Sequence, residues 1–257
     1  MSSPSFLKRT AVLLYGAISY AFFFATFLYA VGFVGGWLVP HSIDSAPTTT
    51  FVRALAIDSL LLAIFALQHS VMARPAFKRI LTRFIPEAAE RSTYVLMSSL
   101  ALILVFVCWS PMGGVVWHVD NLVAASLLQA VFAFGWLTVL VTTFLINHFD
   151  LFGLRQVWKY FGRKAYVPLK FVTPGPYKLV RHPLYLGWLF AFWCTPHLTV
   201  AHLTFAVLTT AYILVAIRLE ERDLVSIHGE DYLKYRAKTP MLVPKVARAE
   251  SRPQRAI

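Results

Sequence analysis

The sequence predicts an all-α fold, a polytopic transmembrane helix bundle of four spans plus a helical hairpin. Three observations lead there. Of 257 residues, 58% are hydrophobic and only 14% charged, against about 25% charged in a soluble domain. The apolar residues gather in runs that reach the roughly 20 residues a membrane helix needs. Of the 24 Lys and Arg residues, all but Arg53 fall on one side of the membrane that these runs define.

The first span covers roughly 11–39. Lys8 and Arg9 precede it as in a signal peptide, but the run from Ala11 to Val39 is too long for the apolar core of one and lacks a cleavage site, so it reads as an uncleaved helix. The second span is roughly 54–73, the third 92–109 and the fourth 122–148. The next run, 184–217, is interrupted by Thr195-Pro196-His197. Pro196 removes a backbone donor and restricts the residue before it, which favours two short helices over one tilted helix. Basic residues cluster before span one, in 74–91, in 149–182 and after 218; the loops 40–53 and 110–121 and the turn 196–202 hold only Arg53. An even number of crossings keeps both basic ends on one side, and the hairpin supplies it. The positive-inside rule makes that side cytoplasmic, with both termini there.

The net charge of +12 follows from those loops. Its natural partner is the anionic headgroup surface of the lipid bilayer, not nucleic acid. Cys108 and Cys194 lie in apolar runs without metal-ligand spacing, so they read as small core residues and no metal site is expected. Residues 218–237 read as a helix carrying the last span out of the membrane, interrupted near Gly229. The segment 246–257 reads as a flexible basic tail.

Ionisable groups at the ends of membrane helices are costly and become functional candidates. The first cluster is Gln68-His69-Ser70 with Arg74. His69 reads either as an interfacial residue bonded to a neighbouring helix or as a proton-handling group. Asp58, eleven residues earlier, lies about three turns away toward the outer leaflet and suits packing or an interhelical hydrogen bond. The second cluster is Asn147-His148-Phe149-Asp150 followed by Gly153-Leu154-Arg155-Gln156. It reads as a proton-handling or ligand-orienting group, or as polar residues ending a helix with Gly153 as the stop. The third runs from Gly175 through Tyr177, Arg181, His182, Pro183 and Tyr185 to Gly187. Pro183 suits a first helical turn, and the helix N-terminus with Arg181 and His182 is a natural place for a carboxylate. Tyr177 and Tyr185 add aromatic surface. The plainer reading is a juxtamembrane loop with Tyr and Arg anchors. The fourth cluster, Arg218, Glu220, Glu221, Arg222 and Asp223, offers acids that suit a diol or a cation, or forms a solvated charged face.

Gly175-Pro-Tyr177, Arg181-His182-Pro183-x-Tyr185-x-Gly187, Glu220-Glu221 and Gly229-Glu-Asp-Tyr232-x-x-Tyr235 together resemble the isoprenylcysteine carboxyl methyltransferase superfamily. With Gln68-His69-Ser70-Val-Met-Ala-Arg74 and Asn147-His148-Phe149-Asp150-Leu-Phe-Gly153-Leu-Arg155-Gln156, the resemblance extends over most of the chain and is to the bacterial methanethiol S-methyltransferases. It implies an integral protein of a bacterial inner membrane that uses S-adenosyl-L-methionine in a cytoplasmic cofactor pocket to methylate methanethiol, a small thiol, to dimethyl sulfide. It also implies transmembrane helices over 1–148, a cofactor-binding core over 149–245 that includes the hairpin, and the tail beyond. Leu169 stands where the prenylcysteine enzymes carry a His, which argues against a prenylated peptide substrate. The span-two motif is shared with NnrU-like membrane proteins. The alternatives are a superfamily methyltransferase acting on a lipid or prenylated carboxylate, and a non-enzymic membrane protein or transporter. On the resemblance, Gly175, Tyr177, Arg181, His182, Pro183, Tyr185, Gly187, Glu220 and Glu221 are expected to hold the cofactor, the two glycines by allowing close approach. His69 and His148 are expected to handle the proton, Asp150 to orient one of them, and Arg74 or Arg155 to stabilise a thiolate.

Overall fold

The structure is a computed structural model and describes residues 4–244; the tail expected over 246–257 lies outside the described residues. It is a helical bundle, as the sequence predicts. Five helices are long and apolar enough to cross a membrane: α1 (Phe6–Gly35), α2 (Phe51–Ala73), α4 (Glu90–Cys108), α5 (Leu122–Ile146) and α9 (Val200–His228). Short helices α3 (Pro75–Leu81), α6 (His148–Leu151), α7 (Leu154–Phe161) and α10 (Glu230–Lys238) lie between or after them.

The hairpin forms, but its two arms are unequal. Helix α8 (Pro183–Trp193) has 11 residues and so is about 16 Å long, half of a hydrocarbon core of about 30 Å. Pro183 opens it at the first turn, where the missing N–H costs nothing. The chain then passes Thr195-Pro196 in extended form and enters β2 (His197–Thr199). That strand pairs antiparallel with β1 (Val115–His118), in the loop between α4 and α5, matching His118 to His197 and Trp117 to Leu198 with a bulge after Val115. This small sheet, which the sequence reading did not anticipate, fixes the topology: the α8–α9 turn lies on the same face as the α4–α5 loop. The α1–α2 loop joins them there, since Asp44 accepts from Thr199 Oγ1 and lies 3.0 Å from His202 Nδ1. Asp58 is fully buried at this end of α2 and accepts from the Ser110 backbone N–H at 2.8 Å, the tethering role expected of it.

The opposite face carries the basic segments. Arg9 donates to the Phe161 carbonyl, Arg91 to that of Leu151, and Arg74 pairs with Asp223 at 2.8 Å. Arg53 is the one Lys or Arg on the sheet face among the described residues. The core runs between the faces, with Phe33, Phe106, Trp109, Phe132, Trp136, Phe192 and Phe205 buried in it. Helices α5 and α8 pack most closely. A side chain on Gly187 would stand 2.9 Å from the Gly135 carbonyl and 3.0 Å from Val139, and one on Gly135 would strike the α8 backbone at 2.6–2.7 Å. Gly187 thus lets two helices touch. Helix α9 leaves the membrane and ends at Gly229, whose φ of +53° starts the break before α10. Both cysteines are free; Cys108 is exposed at the end of α4, not in the core, and Cys194 is partly buried.

Candidate functional site

The four polar clusters read from sequence all lie on the basic face, but the structure sorts them into two neighbourhoods. The first centres on His69, in the last turns of α2. Its Nε2 is 2.7 Å from the Tyr94 hydroxyl of α4, and its Nδ1 is 3.0 Å from Ser98 Oγ one turn further along. Phe65 stacks on its ring at 5.3 Å. Ser70 meets the Tyr212 hydroxyl of α9 at 3.1 Å. Tyr94, Tyr185, Tyr212 and Glu220 share one electrostatic neighbourhood, and the Tyr185 hydroxyl donates to Glu220 Oε2 at 2.9 Å. Helices α2, α4, α8 and α9 therefore bring one His, three phenols and one carboxylate together. Tyr94, Tyr212 and Ser98 escaped the sequence reading. Only the spacing Arg91-x-x-Tyr94 at the head of α4, a polar pair entering an apolar span, could have flagged one of them.

An apolar groove of about 170 Å³ runs along this neighbourhood between α2 and α9, lined by Ser59, Leu62, Ala63, Phe65, Ala66 and Tyr212, with Leu208 and Thr209. It ends on the phenol of Tyr212 and on Phe65, the ring that covers His69.

Beside Glu220, the third and fourth clusters interlock. Glu221 Oε1 accepts from Arg181 Nε at 2.7 Å and from His182 Nε2 at 3.0 Å. Arg181 also donates to the carbonyls of Arg236 and Thr239, and the backbone N–H groups of Arg181 and His182 donate to Pro240 and Met241. The carboxylate that the sequence reading placed at this helix N-terminus exists, but it is the chain's own. Arg181 and His182 hold the segment after α10 against α9, and Pro183 opens α8 beside them. The Tyr235 hydroxyl donates to the Tyr177 carbonyl. Burial, opposed by Arg181, moves the Tyr235 phenol up to about 12. Burial and then the Glu220 carboxylate raise that of Tyr177, so both stay protonated donors at neutral pH. The Tyr232 hydroxyl, buried in the same cluster, has no hydrogen-bond partner among the described residues. Gly175 opens the turn with φ +47°.

A second cavity, about 560 Å³ and open to the basic face, is lined by Leu169, Lys170, Phe171, Ile227, His228 and Asp231. Phe171 forms its shared wall with the Arg181 cluster, packing on Tyr232 at 5.7 Å and Tyr235 at 5.5 Å. The volume falls in the range of small-molecule sites, about 300–1,000 Å³. The lining offers an aromatic face, a basic group and an acid.

The second neighbourhood holds His148. Helix α5 ends at Asn147, a non-glycine residue at φ +134°, and the chain turns into α6 and α7. His148, 3% exposed, meets Tyr20 Oη at 2.8 Å with Nε2 and Thr143 Oγ1 at 2.8 Å with Nδ1. It stacks on Phe144 at 4.1 Å and lies against Phe152 at 4.8 Å. Burial lowers its pKa, so the ring is neutral. Asp150 does not orient it. That carboxylate pairs with Arg155 at 2.7 Å and accepts from Tyr166 at 3.2 Å, and Arg155 reaches on to the Val167 carbonyl. Arg155 is thereby neutralised within its own loop, and Arg74 by Asp223.

Comparisons with known proteins agree with one another. The chain is 60% identical over 246 residues to the methanethiol S-methyltransferase of Crocosphaera subtropica, covering 96% of each. It is 48% identical to that of Mycobacterium tuberculosis, over 93% of this chain and 98% of the other. At 28% identity over 73% of this chain and 68% of the other, it is also similar to Nurim of Xenopus laevis. No family model matches, and no solved structure matches.

Proposed function

The chain belongs to the family of methanethiol S-methyltransferases, membrane enzymes, and from that premise we propose that it methylates methanethiol to dimethyl sulfide with S-adenosyl-L-methionine as donor. The reaction is placed where His69, Tyr94, Tyr185, Tyr212 and Glu220 converge. The observation that carries this reading is that Tyr212 of this polar cluster and Phe65, which stacks on His69, line an apolar groove small enough to suit a very small thiol.

The residues suit the donor. When bound, S-adenosyl-L-methionine supplies a methyl group already activated by its sulfonium. Glu220 and the faces of Tyr185 and Tyr177 suit the cationic end, and the unpartnered Tyr232 hydroxyl is a donor left for a ligand. Phe171, Lys170, His228 and Asp231 line the adjacent cavity and suit the nucleoside end. Arg181, His182 and Glu221 act one step back, as the brace that fixes Glu220 and Tyr185.

The chain's own task is the proton. An alkanethiol is at least as weak an acid as free Cys, pKa about 8.5, and the thiolate is the nucleophile. With Ser98 accepting from Nδ1–H, His69 presents the Nε2 lone pair toward Tyr94. It takes the thiol proton there, directly or through the Tyr94 hydroxyl. The groove wall is apolar, and a poorly hydrated site favours a reaction in which thiolate and sulfonium charges cancel. The groove holds only a few water volumes, each about 30 Å³. It suits methanethiol and disfavours a prenyl chain. The positive-inside rule supports reading the basic face, and with it the donor cavity, as the cytoplasmic side of a bacterial inner membrane.

The test is purified protein in nanodiscs with isotopically labelled S-adenosyl-L-methionine and, separately, methanethiol, a prenylcysteine and phospholipid. Labelled dimethyl sulfide in the headspace supports the reading. Label in a carboxyl ester or a lipid, with none in the headspace, rejects it.

A further inference from the structure

The sheet face carries a pair of histidines that the methyl-transfer reading does not use. His118 of β1 and His197 of β2 are register partners, and their Nδ1 atoms face one another at 3.1 Å. Two nitrogens bound to one ion at about 2.0–2.1 Å stand roughly 2.9–3.4 Å apart, for angles between square-planar and tetrahedral. The observed separation lies within that bite. Asp120 Oδ1 lies 3.3 Å from the other nitrogen of His118. A carboxylate there favours the proton on Nε2, which leaves Nδ1 with its lone pair toward His197, the arrangement found behind metal-bound imidazoles. The backbone is braced on both sides of the pair. Val119 N donates to the Pro196 carbonyl at 2.9 Å and Trp117 Nε1 to that of Thr195 at 2.9 Å. The two backbone segments are therefore held together by bonds that do not involve the rings, and a turn of the imidazoles about their side-chain bonds brings the two lone pairs to a common point. His118 is exposed and His197 partly so, so water can fill the remaining coordination positions. Among the described residues no group of three or more His, Cys, Asp and Glu side chains gathers around a common point, so the site has two protein ligands.

We propose that His118 and His197 form a bidentate imidazole site for a transition-metal ion, Cu²⁺ in preference to Zn²⁺, on the face opposite the methyl-transfer site. Imidazole nitrogens suit these ions, and the Irving–Williams order sets the preference. In the metal-free chain His197 Nδ1–H donates to His118 Nδ1. Binding replaces that proton with the ion, His197 moving its proton to Nε2. The ion then ties the α4–α5 loop to the α8–α9 turn, so binding favours the folded state.

The test is tag-free protein in detergent, stripped with a chelator, with thermal unfolding followed against added Cu²⁺, Zn²⁺ or Mg²⁺. The expected result is a saturable rise in Tm of about 3–6 °C with Cu²⁺, a smaller one with Zn²⁺ and none with Mg²⁺, absent in both His118→Asn and His197→Asn. Dimethyl sulfide formation by each metal-free variant serves as the check on folding. Electron paramagnetic resonance of the Cu²⁺ form of the unaltered chain should show two nitrogen ligands, a readout independent of the variants. An equal rise in the variants, a rise with Mg²⁺, or a signal from one nitrogen or none overturns the proposal.

Discussion

Two histidines sit near helix ends on the same face, each with two hydroxyl neighbours, yet their surroundings differ. His69 lies where α2 meets α4, with Phe65, which lines the groove, stacked on its ring, and with its partner Tyr94 in the electrostatic neighbourhood of Glu220. His148 lies where α5 breaks, sealed by Tyr20, Phe144 and Phe152, with both ring nitrogens taken. Both rings have their two nitrogens occupied, so it is the aromatic seal around His148, at the break after α5, that marks it as organising a chain reversal. A ring whose stacked neighbour lines a groove, and whose phenol partner lies in the field of a carboxylate, can pass a proton through that phenol to something that arrives. The comparison shows that hydrogen-bond partners alone do not mark a catalytic group; access does.

Substitutions can break or sharpen this contrast. The largest effect is expected for His69→Gln, which keeps a hydrogen-bonding side chain but removes the base. Turnover should fall about 10²–10³-fold while S-adenosylhomocysteine affinity, measured by calorimetry, stays within a factor of three or so. Equal losses in both would make His69 a binding residue. Next comes Ala63→Phe, which fills the groove. The KM for methanethiol should rise roughly tenfold with kcat nearly unchanged, since ground-state and transition-state binding are lost together. An unaltered KM would place the thiol's path elsewhere.

His148→Asn should act on stability and not on chemistry. Losing buried hydrogen bonds to Tyr20 and Thr143 costs about 1–3 kcal/mol, seen as a lower Tm with turnover within a few-fold of the parent. The smallest effect is a pH slope. The structure ends the fourth span at Ile146, and burial holds the His148 imidazole below its ordinary 6.5. The unfolded chain therefore binds a proton that the folded chain refuses. Stability is full above about pH 6.5 and declines as pH falls toward the lower, folded value. His148→Asn should flatten that decline in melts run from pH 7.5 to 5. An unchanged slope would assign the loss to other groups.

The spans, the hairpin, the break at Gly229 and the polar character of one face were legible because each is local. Run length, a proline, a glycine and the side on which charge falls all act within a few residues. The partners within the site were not legible. Nothing near His69 in sequence points to Tyr94 or Tyr212, which arrive from two other helices. The pairing of Asp150 with Arg155 and Tyr166 was missed because a His two residues away looked the nearer partner; on a tight α6 turn the two side chains diverge. Nor did the sequence show that Gly187 lets α8 touch Gly135 of α5, since that contact joins two helices far apart in the chain. The small sheet escaped notice because two strands of four and three residues leave no periodic trace.

The most direct test of where thiol meets donor uses a reagent that leaves behind a group the size of the substrate. In a chain carrying Cys108→Ser and Cys194→Ser, a cysteine is placed either in the groove, Ala66→Cys, or beside His148, Phe149→Cys, and treated with methyl methanethiosulfonate, which attaches S–CH₃. Dimethyl sulfide formation should stop in the treated Ala66→Cys chain, return on reduction, and continue in treated Phe149→Cys. Block at position 149 with full activity at 66 would contradict the assignment and move the reaction to the other histidine.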